Sequence, residues 1–195
     1  SNLTPAHGTA GQLARPEVEG DVTDADSTVS KKTITVIFAI DDDGDGDIDN
    51  TKPAQEVNVD SDGEITTVAG GYHAKQRLPS AMAPPTNATI YWWIKATDVA
   101  GNVGISDRQP TISGVADSCS SSAFPPVGSL DGKKPGTSGD VKGCQPYSIK
   151  VDFTKPTLST AVTGSSWDST KTTTDKTETS VNKAKNTSIR VDFSE

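Results

Sequence analysis

The sequence predicts an all-β protein built as a β-sandwich, and three observations lead there. Long amphipathic patterns at helical spacing are absent, while short apolar runs recur between clusters of Gly, Pro, Asn and Asp. Hydrophobic residues make up 32% of the 195 residues and aromatics 5%, which suits a thin sandwich core better than one large enzyme-like core. Aspartate supplies 20 of the 26 acidic residues, and it favours turns and caps where glutamate favours helices.

The elements follow in order. Residues 1–14 show no periodicity and read as a linker or the tail of a preceding module. "RPEVEGDVTDADS" (15–27) reads as a short strand and an Asp-rich turn. "KKTITVIFAI" (31–40) is a strand with Ile34, Val36 and Phe38 on one face. Beyond the acidic stretch 41–49, "QEVNVD" and "EITTVA" flank "SDG", the pattern of a hairpin. "TIYWWIKATD" (89–98) is the strongest strand and turns at "VAGN" into "VGISD"; "YSIKVDF" (147–153) closes the module. In "IYWWIKA", Ile90, Trp92, Ile94 and Ala96 share the core face. Tyr91 and Trp93 fall on the other, which suggests a surface contact, a sugar platform, or a face covered by a loop.

A weak repeat of the form Ile-x-Val-x-Phe occurs at 34–38, 149–153 and 189–193. The middle copy runs into Thr154-Lys155-Pro156, which breaks a strand. A second module is therefore expected from 156 to 195, with the nearly apolar-free segment 169–187 as a solvated loop and Trp167 at its junction or core. The chain stops at Glu195 directly after "SIRVDF" and opens on Ser1, so a piece of a longer polypeptide is expected.

The net charge is −8, which argues against nucleic acid as a partner, since such partners need a basic groove. Solubility alone would also account for it. "ITVIFAI" is too short to span a bilayer. Cys119 and Cys144, the two cysteines, bracket a Gly/Pro/Ser-rich insertion. A disulfide between them would contribute roughly 3 kcal/mol and imply an oxidising, extracellular location; two unrelated thiols are the alternative. Sequons at Asn2, Asn87 and Asn186 fit glycosylation, although a Ser/Thr-rich chain yields one or two by chance.

The acidic stretch "AIDDDGDGDIDN" carries the one motif with metal chemistry. Asp41, Asp43, Asp45 and Gly46 match the calcium template Asp-x-Asp-x-Asp-Gly, whose alternating carboxylates converge on one point. Asp47 would offer a backbone carbonyl, Ile48 would anchor the loop, and Asp49 would reach the ion through water. Lys52 stands where an EF-hand has its bidentate glutamate, and helices do not flank the loop, so the site would be a loop between strands. Asp42, Glu56, Asp60 and Asp62 are candidates for a missing ligand. An acidic turn without an ion is the alternative reading. Catalysis has no such support: the two histidines lie far apart, and Cys–His and Gly-x-Ser-x-Gly arrangements are absent. The expectation is a protein that is not an enzyme.

"YWWIKATDVAGNVG" resembles the penultimate-strand signature of immunoglobulin-like repeats in bacterial and archaeal surface proteins, usually Ala-Thr-Asp-x-Ala-Gly-Asn. "VDFTKPTLSTAVTGSSWDS" resembles the junction between such repeats, and "SIRVDFSE" the strand after it; S-layer proteins are the nearest family. The resemblance implies an immunoglobulin-like sandwich over 15–155, interrupted by the Cys-bracketed insertion (about 114–146) that short repeats lack, and the start of another over 156–195. It implies a structural or adhesive unit at the cell surface, contacting copies of itself, neighbouring surface-protein domains, or glycans. The function expected is a structural segment of a surface layer or similar assembly, stabilised by calcium and a disulfide. The alternative is an adhesive or carbohydrate-binding module of a secreted protein.

Overall fold

Residues 3–12, 14–26, 28–49, 51–106, 108, 124–135, 144–154, 157–158 and 193–194 are described in the structure, a computed structural model. The chain divides into two compact units, Ser1–Phe153 and Thr154–Glu195.

The first unit is almost entirely β, in two sheets. Its strands are β1 (Thr9–Gln12), β2 (Glu17–Thr23), β3 (Thr35–Asp41), β4 (Gln55–Asn58), β5 (Glu64–Val68), β6 (Gly71–Arg77), β7 (Ala88–Thr97), β8 (Val103–Ile105) and β9 (Tyr147–Val151). The larger sheet runs β1-β9-β7-β3-β4, with β8 paired to β7, and the smaller runs β2-β6-β5. All neighbours are antiparallel except β1 and β9, which are parallel.

The side-chain pattern explains which strands are central. β3 is buried from Val36 to Asp41 because both its faces are covered. Val36, Phe38 and Ile40 join Ile90, Trp92, Ile94, Ile149 and Val151 in a core shared with Val18 and Ala74 of the smaller sheet. That shared core holds the two sheets together as a sandwich-like pair. Ile37, Ala39 and Trp93 face the other way and form a second cluster with Ile48, Ala54, Leu130 and Cys144. A strand buried on both faces reads as a continuous apolar run rather than an alternating one. β2 and β6 alternate instead. Val18 and Ala74 face inward, while Glu17, Glu19 and Asp21 pair outward with His73, Lys75 and Arg77.

Two expectations need correcting. Residues 3–12 are not a linker: Thr4 bridges Glu19, β1 runs beside β9, and Leu3 packs against the shared core. "QEVNVD" and "EITTVA" do not form a hairpin either, since β4 pairs with β3 and β5 with β6, in different sheets. The link between them is a helical turn, α1 (Val59–Asp62), capped by the Asn58 side chain accepting from Asp60 N and pinned by fully buried Val59. A buried apolar residue inside the supposed turn converts it into a crossing between sheets. The hairpin that does form joins β5 to β6 through Gly70, at a positive φ of 77°. The turn from β7 into β8 forms as the sequence suggests, with Asp98 accepting from the backbone and side chain of Asn102.

In the second unit, β10 (Thr157–Leu158) and β11 (Phe193–Ser194) pair antiparallel. Trp167 and the segment 169–187 lie outside the described residues.

Candidate metal centre

The acidic loop begins where β3 leaves the core. Asp41, only 3% exposed, ends the strand with its carboxylate turned back over the loop. One oxygen, Oδ1, accepts from Gly44 N at 2.7 Å, and Oδ2 accepts from Gly46 N at 3.2 Å. Both glycines sit at positive φ, 83° and 89°, a region that a side chain penalises. The chain can wind this tightly around one carboxylate because of them. Asp43 Oδ1 accepts from Asp45 N and Asp45 Oδ1 from Asp47 N, so the loop advances by successive side chain-to-backbone turns. Asp49 closes it: its N–H donates to Ile40 O at 2.7 Å and its Oδ2 accepts from Asp42 N.

This winding brings Asp41, Asp43 and Asp49 together, each with a carboxylate oxygen within 4.8 Å of the others. At that separation each pair of charges repels by about 1–3 kcal/mol for an effective dielectric between 80 and 20. Burial raises the pKa of Asp41 and of Asp49. In Asp41 the two glycine N–H groups oppose that shift, while Asp49 and Asp45 add to it; in Asp49 the Asp42 N–H opposes it, and the charges of Asp42 and Asp45 add to it. Nearby Tyr91 is pushed up to about 12, chiefly by burial and then by Asp41, Asp45 and Asp47. Three hard oxygen donors spaced for a cation of 2.3–2.6 Å bond length could hold calcium, with water completing the shell.

The remaining predicted ligands are not part of this triad. Asp45 is exposed and not part of the convergent set, and Asp47 Oδ1 stands 3.4 Å from Lys134 Nζ. Asp49, expected to reach an ion through water, has a carboxylate oxygen in the same cluster as Asp41 and Asp43. Glu56 pairs with Lys95 and Asp60 with Lys31, while Asp62 accepts from Ser61. Lys52 turns away to donate to Ala83 O at 3.0 Å.

The loop is also held by a segment far away in sequence. Ile48 is buried, its N–H donates to Lys133 O at 3.0 Å, and its carbonyl accepts from Gly132 N at 2.8 Å. With Lys134 on Asp47, residues 132–134 of the insertion clamp the loop against the larger sheet. Only "DGKK" beside an acidic loop hints at this contact in the sequence, and its distance along the chain hides it.

The same insertion decides the fate of the aromatic face. Trp93 is fully buried, donates Nε1–H to Cys144 O at 3.0 Å, and meets Phe124 edge-on at 5.3 Å between ring centres. It is therefore not a surface contact, because the insertion covers it; Tyr91 is half-covered beside it. Asn87 is exposed at the start of β7, with Oδ1 accepting from Phe153 N. Asn2, Asn186 and Cys119 lie outside the described residues. Among the described residues, no helix is long and apolar enough to cross a membrane.

No protein-family model matches the chain, and no curated protein matches it.

Proposed function

We propose that this chain is a structural segment of an extracellular surface layer or similar cell-surface assembly, with a β-module stiffened by bound calcium and by a Cys119–Cys144 disulfide. The observation that carries the reading is the convergence of Asp41, Asp43 and Asp49 at the end of a buried strand. Calcium there would neutralise the mutual repulsion of these carboxylates and fix the loop to the insertion that covers Trp93. The strand order β2-β6-β5 against β9-β7-β3-β4 corresponds to that of immunoglobulin sandwiches and supports an immunoglobulin-like module. Full burial of Cys144 beneath the same cover fits a covalent tie to Cys119. Exposed Asn87 fits a glycan acceptor on a secreted protein. In this role, contacts with copies of the chain or with neighbouring surface domains take the place of an active site. Burial of Trp93, one of the two aromatics on which the carbohydrate-binding alternative rested, favours the structural reading over it.

A thermal melt in excess calcium and again in metal-free buffer tests the ion. Binding to the folded state alone adds about 2.7 kcal/mol of stability at a hundredfold excess over the dissociation constant. The gain should vanish in a chain carrying both Asp43→Asn and Asp49→Asn. An unchanged melt leaves an acidic turn and removes the cation from the reading. Electron microscopy of the concentrated chain in calcium then tests assembly: ordered sheets or filaments support it, and a monomer at every concentration counts against it.

A further inference from the structure

The N-terminal segment is fastened to the larger sheet through a side chain as well as through its backbone. Residues 6–9 form a turn in which Thr9 N and Oγ1 both donate to Ala6 O, with His7 inside the turn. Ser148, the second residue of β9, is buried, and both its backbone groups bond to this turn. Ser148 O accepts from Gly8 N at 2.8 Å, and Ser148 N donates to His7 Nδ1 at 3.2 Å. The imidazole thus takes the place of a backbone acceptor in the ladder. A peptide N–H only donates, so Nδ1 is unprotonated and the neutral ring carries its proton on Nε2. Ser148 Oγ lies 3.1 Å from the same nitrogen. The ladder beyond is short and irregular: β1 pairs parallel to β9, and the register shifts between Thr9 and Gln12.

We propose that His7 is a pH-sensitive latch, whose protonation releases residues 7–12 from β9 at mildly acidic pH. The ring can take up a proton only at Nδ1, where the new N–H meets the N–H of Ser148, donor against donor. Ser148 Oγ can accept that proton, but the buried peptide N–H is then left without its acceptor. The charged ring also meets Arg108, which is fixed by donating from N to Gln145 O at 3.0 Å and from Nε to Pro146 O at 3.1 Å. The other ionisable groups on the packed elements are Tyr147 and Lys150 on β9, Tyr91 opposite Ser148 on β7, and Glu19 opposite Thr4 on β2. Burial, and after it the charge of Arg108, holds the imidazole below its ordinary value. Docking of the segment is therefore fully stable above the ordinary histidine value and weakens as pH falls through the lowered one. Thr4 and Glu19 exchange two backbone hydrogen bonds, of 2.9 and 2.7 Å, so the released segment stays tethered to β2. Release makes β9 the edge of the larger sheet, and an open strand edge is a template for another strand. The latch does not depend on the acidic loop, and its failure would leave the calcium reading untouched.

The test is amide hydrogen exchange of the isotope-labelled full chain, followed by NMR at pH ~7.5 and ~5 and corrected for the intrinsic rate. Protection of the Gly8 and Ser148 amides should fall about fivefold in acid, the equivalent of one hydrogen bond, while amides of the β3–β7 pair keep theirs. His7→Asn offers an amide oxygen in place of Nδ1 but takes up no proton, so it should hold the protection at both pH values. His7→Ala, which removes the acceptor, should show the low protection at both. Equal protection of the native chain at the two pH values overturns the proposal. So does an acid loss that His7→Asn retains, which would assign it to carboxylates elsewhere. An equal loss at the β3–β7 amides also overturns it, because acid would then loosen the whole unit and not the segment.

Discussion

Asp41 carries two opposing demands: it ends the most buried strand of the larger sheet, and its carboxylate faces two others. Burial raises its pKa and that of Asp49, so the unfolded chain ionises these groups more readily than the folded one. Without a cation, stability therefore falls as pH rises from the ordinary carboxylate value through the raised folded value, and the full penalty is present at neutrality. A bound cation reverses the sign. It lowers the folded pKa of the same groups, so its stabilisation is present at neutrality and is lost as pH falls through that lowered value. Melts between pH ~7 and ~4 should slope in opposite directions in metal-free buffer and in calcium, and Asp41→Asn should flatten the metal-free slope. Trp93 makes a second residue-scale case, because it has the composition of a binding platform and the environment of a core residue. Trp93→Ala should cost about 3–5 kcal/mol in chemical denaturation, as cavity-forming aromatic truncations do. A merely surface aromatic would lose little.

The ladder between β2 and β6 shows what alternation encodes and where titration enters at the scale of the element. His73 stands opposite Asp21, with Nδ1 at 2.8 Å from its Oδ1 and Nε2 at 3.5 Å from Glu19 Oε2. The hydrogen bond to Asp21 raises the His73 pKa, with the charges of Asp21 and Glu19 adding to it and partial burial opposing. Stability from this pairing is fully present below the unfolded histidine value and is lost as pH rises through the raised folded value. The groups are about one-third exposed, so solvent screening holds the effect to about 0.2–1 kcal/mol. A small fall in melting temperature from pH ~6 to ~8 is expected, and His73→Gln should abolish it. The two central strands were legible because apolar runs report directly on covered faces, whereas the ladder was only half legible: β2 could be read as a strand, but Gly71–Arg77 carries no clean alternation to announce its partner. The supposed β4–β5 hairpin was misread because "SDG" carries turn chemistry whichever sheet the next strand joins. Only the burial of Val59, a tertiary fact, selects the crossing. Likewise, spacing marked five Asp residues of the loop as candidates, but which three converge, Asp41, Asp43 and Asp49, depends on the loop closing back on Ile40.

At the scale of the whole molecule, the two outer faces of the sheets differ in kind. The smaller sheet shows a charged ladder, whereas the larger is covered by the acidic loop and by residues 124–135 with Cys144. A covered Trp93 face was among the sequence readings, but the contacts that make the cover were not legible, since a Gly/Pro/Ser-rich insertion carries no periodicity and its contacts are long-range. The N-terminal strand escaped notice for a related reason: four residues, Thr9–Gln12, are too few to show a pattern, yet they complete one edge of the larger sheet. Among the described residues, every member of both apolar clusters lies between Leu3 and Val151, within the unit that ends at Phe153. A unit that holds its own core should fold by itself. A chain ending at Phe153 should therefore melt cooperatively, within a few degrees of the full chain and with the same response to calcium. Removal of residues 3–12 from that shorter chain should instead lower its melting temperature markedly, because it exposes the β9 edge and strips Leu3 from the core. If the first truncation unfolds the protein, stability resides in residues 154–195 as well, and the division at Phe153 is not a thermodynamic one.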